Sequence, residues 1–490
     1  MSQISLRKSL VDQLVRTQFA AASTPLAPQD PLELFLSRTS YGTRRAEYDV
    51  AKRIGLNAYL DSQLAHESID DRALETVIAN TFKTLAMTNA QIFASYGPAS
   101  SMQFQALTEL RGATLLRQLY SPKQLFEVMV EFWSDHFSVQ HTDGLVQQFK
   151  TADDRDIRRH ALGKFRDLLN ANARSPAMLY YLDNYTNIAT GPNENYAREL
   201  MELHTLGVNG GYTEADVKAV ARAFTGWTFA RNTYEFVFVP RSHDIAEKTV
   251  LGKLLPARRG IEDGQEVLDI LATHPSTAKF IATKLVRKFV SDSPPASLVD
   301  KVATSFTRTD GDIRAMLRTI FGSEEFFASS QQKAKRPAEF MISALRATEA
   351  RLTGETFGRA LNARLEQMGH TWFMWPAPNG YPDTSAYWFN TSAWVHRWNF
   401  SYALAEGSLD RGITVDSAAL LGNAQTPTEW VNTLSFSILK RPLTDGDRVE
   451  LINLVANGRA ADQAIPAAER NARFGELLSV LLSSRYFNYR

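Results

Sequence analysis

Cysteine is absent from the 490 residues, and that absence removes disulfides, thiolate metal ligands, iron–sulfur clusters and cysteine nucleophiles together. Any bound metal therefore depends on His and carboxylate ligands. Charge of one sign is lacking too: 54 Lys and Arg stand against 53 Asp and Glu, a formal net charge of +1. A protein that neutralises phosphates shows a basic excess or stripe, and only short clusters such as Lys333, Lys335 and Arg336 occur, which disfavours nucleic acid as a partner. No apolar run approaches the roughly 20 residues of a spanning helix. Near the start, Arg7 and Lys8 precede Val11-Asp12-Gln13-Leu14-Val15-Arg16, whose charges interrupt the hydrophobic region a signal peptide needs. On its own residues, the chain reads as cytoplasmic. Also missing are GxSxG, GxxxxGK[ST], a strand-to-helix GxGxxG, HExxH and the paired ExxH of di-iron bundles, so no standard hydrolase, nucleotide or metal signature is present.

What is present is mostly helical punctuation. Ser121-Pro122 places a cap before a proline, and helical periodicity follows to about His141. Asn193 or Asn195 can cap a second helix stopped by Gly207, and Thr213 with Asp216 resembles the capping box of a third, ended at Gly226. Further helical runs cover roughly 31–53, 106–119, 157–172, 264–271, 277–290, 312–321, 337–352, 427–440 and 473–482. Strand-favouring residues in Trp227–Phe229 and Tyr234–Val239 read as a small inserted hairpin. The expected fold is mainly α: a large bundle-like body with that hairpin and a long Trp/Pro/Gly-rich loop. Residues 1–30 read as a helical segment or arm and 31–490 as one helical domain, with a sub-boundary near Pro294-Pro295.

Periodicity at 100° per residue selects the chemistry. On the helix after Pro122, Leu125, Met129 and Phe132 form an apolar stripe, with His136 within about 20° of Leu125 and Glu131 and Asp135 together along one border. On the helix from Asn195, Tyr196, Leu200 and Leu203 face inward; Glu199 falls between Leu203 and Leu206, while Arg198, Glu202 and Thr205 face the polar side. A buried carboxylate needs a partner, for which Arg222, His136, Lys248 or a metal are the candidates. His243-Asp244 is either a carboxylate-oriented imidazole or a turn held by Asp244. The stretch Gly369–Asn399 holds Trp372, Trp375, Trp388, Trp394 and Trp398. Such rings either stack on sugars or on a peptide's prolines, or pin a long loop to the core. A cleft roofed by this loop is the expected binding site, with His370, His396 and Arg397 as polar contacts.

The run from Asn193-Glu194-Asn195-Tyr196-Ala197-Arg198-Glu199-Leu200 to Gly207, continuing through Gly211-Tyr212-Thr213 to Ala223–Trp227, resembles the bacterial domain of unknown function 1800 family. The likeness extends to Phe132–Phe137, Pro176–Leu179, His243-Asp244, His274-Pro275, Lys333 with Pro337 and Glu339, and Ser484–Phe487. At Asp135 the chain departs from the family's pattern, which more often has an amide there. The resemblance implies an uncharacterised, mostly exported class, hence a periplasmic or secreted location, and an exported sulfatase-like partner protein. It implies no reaction.

Two functional readings follow. In one, Glu131, His136, Glu194, Glu199 and His204 supply acid/base groups or ligands for a divalent metal, and Trp372, Trp375, Trp388, His396 and Arg397 bind a polar, glycan-like substrate. In the other, the same residues form a satisfied polar network, and the protein docks an exported partner without catalysis.

Overall fold

The computed structural model describes residues 29–140, 144–354 and 357–490. The arm expected over 1–30 therefore lies, up to residue 28, outside the described residues. Helix accounts for 62% of the structure, and among the described residues strand is confined to three two-stranded antiparallel ladders. The fold is mainly α, as the punctuation implied.

α1 (Pro31–Thr39) begins where the Asp30 carboxylate accepts the Leu32 amide at 2.9 Å, with Pro31 at the first helical position. The run read as continuous to Arg53 divides after Thr39, and a new helix starts at Arg45. α2 (Gln105–Tyr120), α3 (Gln124–His136) and α4 (Val146–His160) pack against one another. α3 is the central helix: Gln124 to Trp133 and His136 are all buried. It is shorter than the expected run to His141, because Phe137 leaves helical geometry. Burial on all sides also takes Glu127 and Glu131 inside rather than leaving carboxylates along a border.

α5 (Asn195–Glu199) runs directly into a π-helical turn, Leu200–Thr205. The Leu206 amide bonds the Met201 carbonyl at 2.8 Å and the Thr205 hydroxyl bonds the Leu200 carbonyl at 2.7 Å, both five residues back. The extra residue in the turn rotates everything beyond it, as π-turns do. Thr205, expected on the polar side, is fully buried, and Leu203, expected inside, is only half-buried. α6 (Glu214–Ala223) carries the expected capping box: Asp216 accepts the Thr213 amide at 2.9 Å, and the Asp216 amide donates to the Thr213 hydroxyl.

The expected hairpin is present as β1 (Trp227–Phe229) and β2 (Phe236–Phe238), with Trp227 opposite Phe238. A second one, β3 (Lys248–Val250) with β4 (Lys253–Leu255), has strands too short to show alternation in the sequence. α7 (Pro275–Phe289) is followed, after shorter helices, by α8 (Pro337–Ala347). The third ladder joins β5 (Arg351–Leu352) to β6 (Ile413–Thr414). Between them, α9 (Thr391–Ala405) starts where Asn390 accepts the Ala393 amide at 2.9 Å. Trp394 and Trp398 thus sit on a helix, Trp388 ends a short helical turn, Ser385–Trp388, within the loop, and the irregular backbone keeps Trp372 and Trp375. One hydrophobic cluster runs from Leu34 through Trp133, Leu200 and Phe340 to Phe487 and carries all these elements.

Candidate functional site

The Trp-bearing loop lies over the C-terminal half of α3 and roofs a cavity that, with its mouth open to solvent, spans about 390 Å³. Gln118, Glu131, Ser134 and Asp135 line one side, and His370, Trp372, Phe373 and Tyr381 the other. The loop comes this close because residue 380 has no side chain. Gly380 has φ +71°, and a Cβ there would lie 1.9 Å from the Asp135 carbonyl oxygen. The loop is braced internally: the Tyr381 hydroxyl donates to the Thr371 carbonyl at 2.9 Å and accepts the Thr371 amide at 3.1 Å. The Tyr381 ring packs against Trp375, Trp388 and His370.

Arg336 ties loop to helix. Its guanidinium donates to Asp135 at 2.5 Å, to Asp383 of the loop and to the Tyr381 carbonyl at 3.3 Å, and Nη1 lies 3.8 Å from Glu131 Oε1. Burial works against its charge, yet Asp383, Asp135 and Glu131 overcome this and hold it firmly protonated. Asp135 is pushed up to about 6, by burial first and by Glu131; Arg336 pulls the other way. A carboxyl at this value exchanges protons readily near neutrality.

Glu131 is held on one side only. Its Oε2 accepts from the Tyr41 hydroxyl and from Gln118 Nε2 at 3.2 Å, while Oε1 has no hydrogen bond within the protein. Burial and the Glu131 charge raise the Tyr41 phenol well above its usual range, so Tyr41 is a neutral donor. Ser134 Oγ, Gln118 Oε1 and Trp372 Nε1 are likewise buried without a protein partner. Buried polar atoms are nearly always satisfied, and these four belong to residues lining one cavity. Deeper in, Arg158 pairs with Glu127 at 2.9 Å and Asp154 at 2.9 Å and closes that wall.

His136 faces away from the cavity. Lys284 Nζ donates to its Nδ1 at 2.9 Å, which places the ring proton on Nε2, bonded to the His204 carbonyl at 3.0 Å. Burial, then Lys284, pushes His136 well down. Burial also lowers His204 to about 3, and neither of its ring nitrogens has a partner. The two rings sit 6.0 Å apart, both neutral. Lys284, lowered by burial to about 8, also feels Asp383 and Asp135, which links the imidazoles to the cavity's charges.

The remaining expectations divide. Glu199 is half-buried rather than interior, and its carboxyl, raised by partial burial and by Glu202, has none of the expected partners. Arg222 pairs with Asp244 at 2.6 Å, Lys248 with Asp263 at 2.7 Å, and His136 with Lys284. Glu194 pairs with Arg198 at 3.2 Å, and neither Glu194 nor Glu199 lines the cavity. His243 does not pair with Asp244. Its Nε2 meets Asp263 at 3.3 Å, and Asp244 instead holds its own turn by accepting the Ala246 amide at 2.8 Å. Of the loop residues, Trp372 lines the cavity. Trp388 is buried with Nε1 on the Pro382 carbonyl, and Trp375 bonds Asn379 at 2.7 Å. Arg397 is an internal clamp, bonded to Asn488 at 2.9 Å and the Lys335 carbonyl at 2.8 Å between the Phe340 and Phe389 rings. His396 is half-buried and outside the cavity wall, where His370 supplies the expected imidazole.

Residues that sequence reasoning did not assign to the site are Arg336, Asp383, Tyr41, Gln118 and Ser134. Arg336-Pro337 with Glu339 carries a local signal, a helix start in which Glu339 accepts the Arg336 amide at 2.9 Å. The others come from distant segments and have none. Among the described residues no group of three His, Asp or Glu side chains is arranged to hold a metal ion, and no helix is long and apolar enough to cross a membrane. A family model described as "Protein of unknown function (DUF1800)" matches residues 34–489. No curated protein and no solved structure matches the chain.

Proposed function

The chain belongs to the DUF1800 family, one described as of unknown function, and from that premise we propose that the loop-roofed cavity is the active site of an acid–base enzyme acting on a hydroxyl-rich, glycan-like substrate. The observation that carries this reading is the convergence of buried polar atoms that make no hydrogen bond, Gln118 Oε1, Glu131 Oε1, Ser134 Oγ and Trp372 Nε1, beside Asp135. Substrate hydroxyls satisfy such atoms, and the Trp372 and Tyr381 rings offer apolar faces to a sugar ring.

Glu131, with one oxygen anchored by Tyr41 and Gln118, presents the other to the substrate as base or hydrogen-bond acceptor. Asp135, poised at about 6, gives and takes the proton. Arg336 is a positioning residue that fixes Asp135 and, through Asp383, the loop. His136 acts at one remove through Lys284, and His204 supports it. The guanidinium already serves these carboxylates, so the reading gives them an arginine rather than a divalent ion as their cation.

The test is turnover of a panel of oligosaccharides, followed by release of reducing ends, with Glu131→Gln and Asp135→Asn as variants. Both should lose at least about a hundredfold in kcat while melting within a few degrees of wild type. Full activity in both variants would overturn the reading. A second reading, docking of an exported sulfatase-like partner, draws on the exposed outer edge of the loop, where Tyr387 is 45% exposed beside Trp375. It expects a stoichiometric complex that is lost on Tyr387→Ala and Trp375→Ala and kept in Glu131→Gln.

A further inference from the structure

A second cavity, of about 540 Å³, opens on the far side of Tyr41, between α1, α8 and the segment Ile438–Arg441. Its wall carries four cationic side chains, Lys335, Lys440, Arg441 and Arg490, against two carboxyls, Glu33 and Glu339. Glu339 is fully engaged: it accepts from Lys288 at 2.9 Å and from Arg490 at 2.7 Å. Arg441 is not. The residue is only 4% exposed, and Nε, Nη1 and Nη2 all lack a hydrogen-bond partner. A buried guanidinium with no hydrogen-bond acceptor is costly: burial lowers Arg441 to about 10, and Tyr486 and Glu33 on the same wall offset this only through space.

Lys335 stands beside it, with Nζ 3.0 Å from the Ser343 hydroxyl and 3.6 Å above the Phe487 ring. Burial, then Arg490 and Arg441, pushes its ammonium well down, as crowded cations do. Lys440 ends the helical segment Ser435–Leu439 in a left-handed conformation, φ 54°, that brings consecutive basic side chains to the cavity wall. Burial raises the Glu33 carboxyl to about 7, which lowers the negative charge an incoming anion meets.

We propose that this cavity binds a small phosphorylated ligand, with Arg441 gripping the phosphate through its fork of N–H groups and Lys335 and Lys440 as further hydrogen-bond donors to it. Planar, multi-donor recognition of phosphate is what an arginine fork does best, and Arg441 lines this cavity with its donors unengaged. The inference does not depend on the acid–base reading of the first cavity.

The probes are inorganic phosphate and glycerol phosphate, with sulfate and chloride at matched ionic strength as controls. Binding is followed by phosphorus NMR line broadening and by melting temperature. Wild type should broaden the phosphate signal and melt higher with phosphate than with chloride. A stronger response to glycerol phosphate points to an organic phosphate ligand, and an equal one to the free anion. Arg441→Leu should bind at least about tenfold more weakly, and without phosphate it should melt no lower than wild type, because it removes an unpaired buried charge. Lys335→Met gives the same weakening if Arg441→Leu fails to fold. A wild type that responds to phosphate no more than to chloride, or an Arg441→Leu protein that binds phosphate like wild type, would overturn the proposal.

Discussion

Replacing Arg336 by Met removes the side chain that joins Asp135 of α3 to Asp383 and the loop backbone. The side chain is about the same length, so packing is largely kept and the change is electrostatic. Asp135 and Asp383 then sit in a buried setting with no guanidinium, and Glu131 loses the cation 3.8 Å away. Removing one partner of a buried ion pair costs about 3–5 kcal/mol. Lys333 and Lys284 are near enough to Asp383 to recover part of this, so about 3 kcal/mol is the expected loss at pH 8. Lowering the pH to 5 should shrink it, because the stranded carboxyls can then take up protons. The triple variant Arg336→Met, Asp135→Asn, Asp383→Asn should recover most of the loss, since amides need no counter-charge. Urea unfolding monitored by tryptophan fluorescence reads all three. A loss under about 1 kcal/mol at pH 8, or a triple variant no better than the single one, would refute this role for Arg336.

Other outcomes follow from the same contacts. His136→Leu takes the acceptor from Lys284 and should cost about 1–3 kcal/mol, whereas His204→Leu removes a ring whose nitrogens bond nothing and should stay within about 1 kcal/mol; denaturant midpoints compare them. Acid should destabilise the fold: between pH 6.5 and about 3 the unfolded chain protonates His204 while the folded chain does not, and lowered His136 and His370 act in the same direction. Each contributes about 1.4 kcal/mol per pH unit. Asp135, raised to about 6, binds its proton earlier in the folded state and opposes this between pH 6 and 4; Asp135→Asn should therefore steepen the acid loss, as read from melts at successive pH values. Gly380→Ala drives a methyl into the Asp135 carbonyl and should free the loop, costing about 1–3 kcal/mol and raising proteolysis within residues 369–390.

Local rules carried far in this chain. The Thr213–Asp216 box and the Trp227–Phe238 hairpin are short-range patterns and appear where the residues place them. Glu131 and Asp135, four apart on one helix, do share the face that meets the loop, and Trp372 is the ring above them. What a 3.6-residue period cannot show is the π-turn at Leu200–Thr205, which rotates Thr205 inward and leaves Leu203 half-buried. Nor can it show Arg336 reaching Asp135, 201 residues away, or Tyr41 meeting Glu131 across 90. The position of Glu199 escapes the period for a related reason: Tyr196, Ala197 and Leu200 around it are buried, but Arg198 and Glu199 itself are half open to solvent.

The most direct test is calorimetric titration of the oligosaccharide that best quenches tryptophan fluorescence, comparing wild type with Ser134→Ala, Trp372→Phe and Glu199→Gln. The account predicts at least about tenfold weaker binding for the first two and unchanged affinity for Glu199→Gln. Equal affinity across wild type, Ser134→Ala and Trp372→Phe would contradict it.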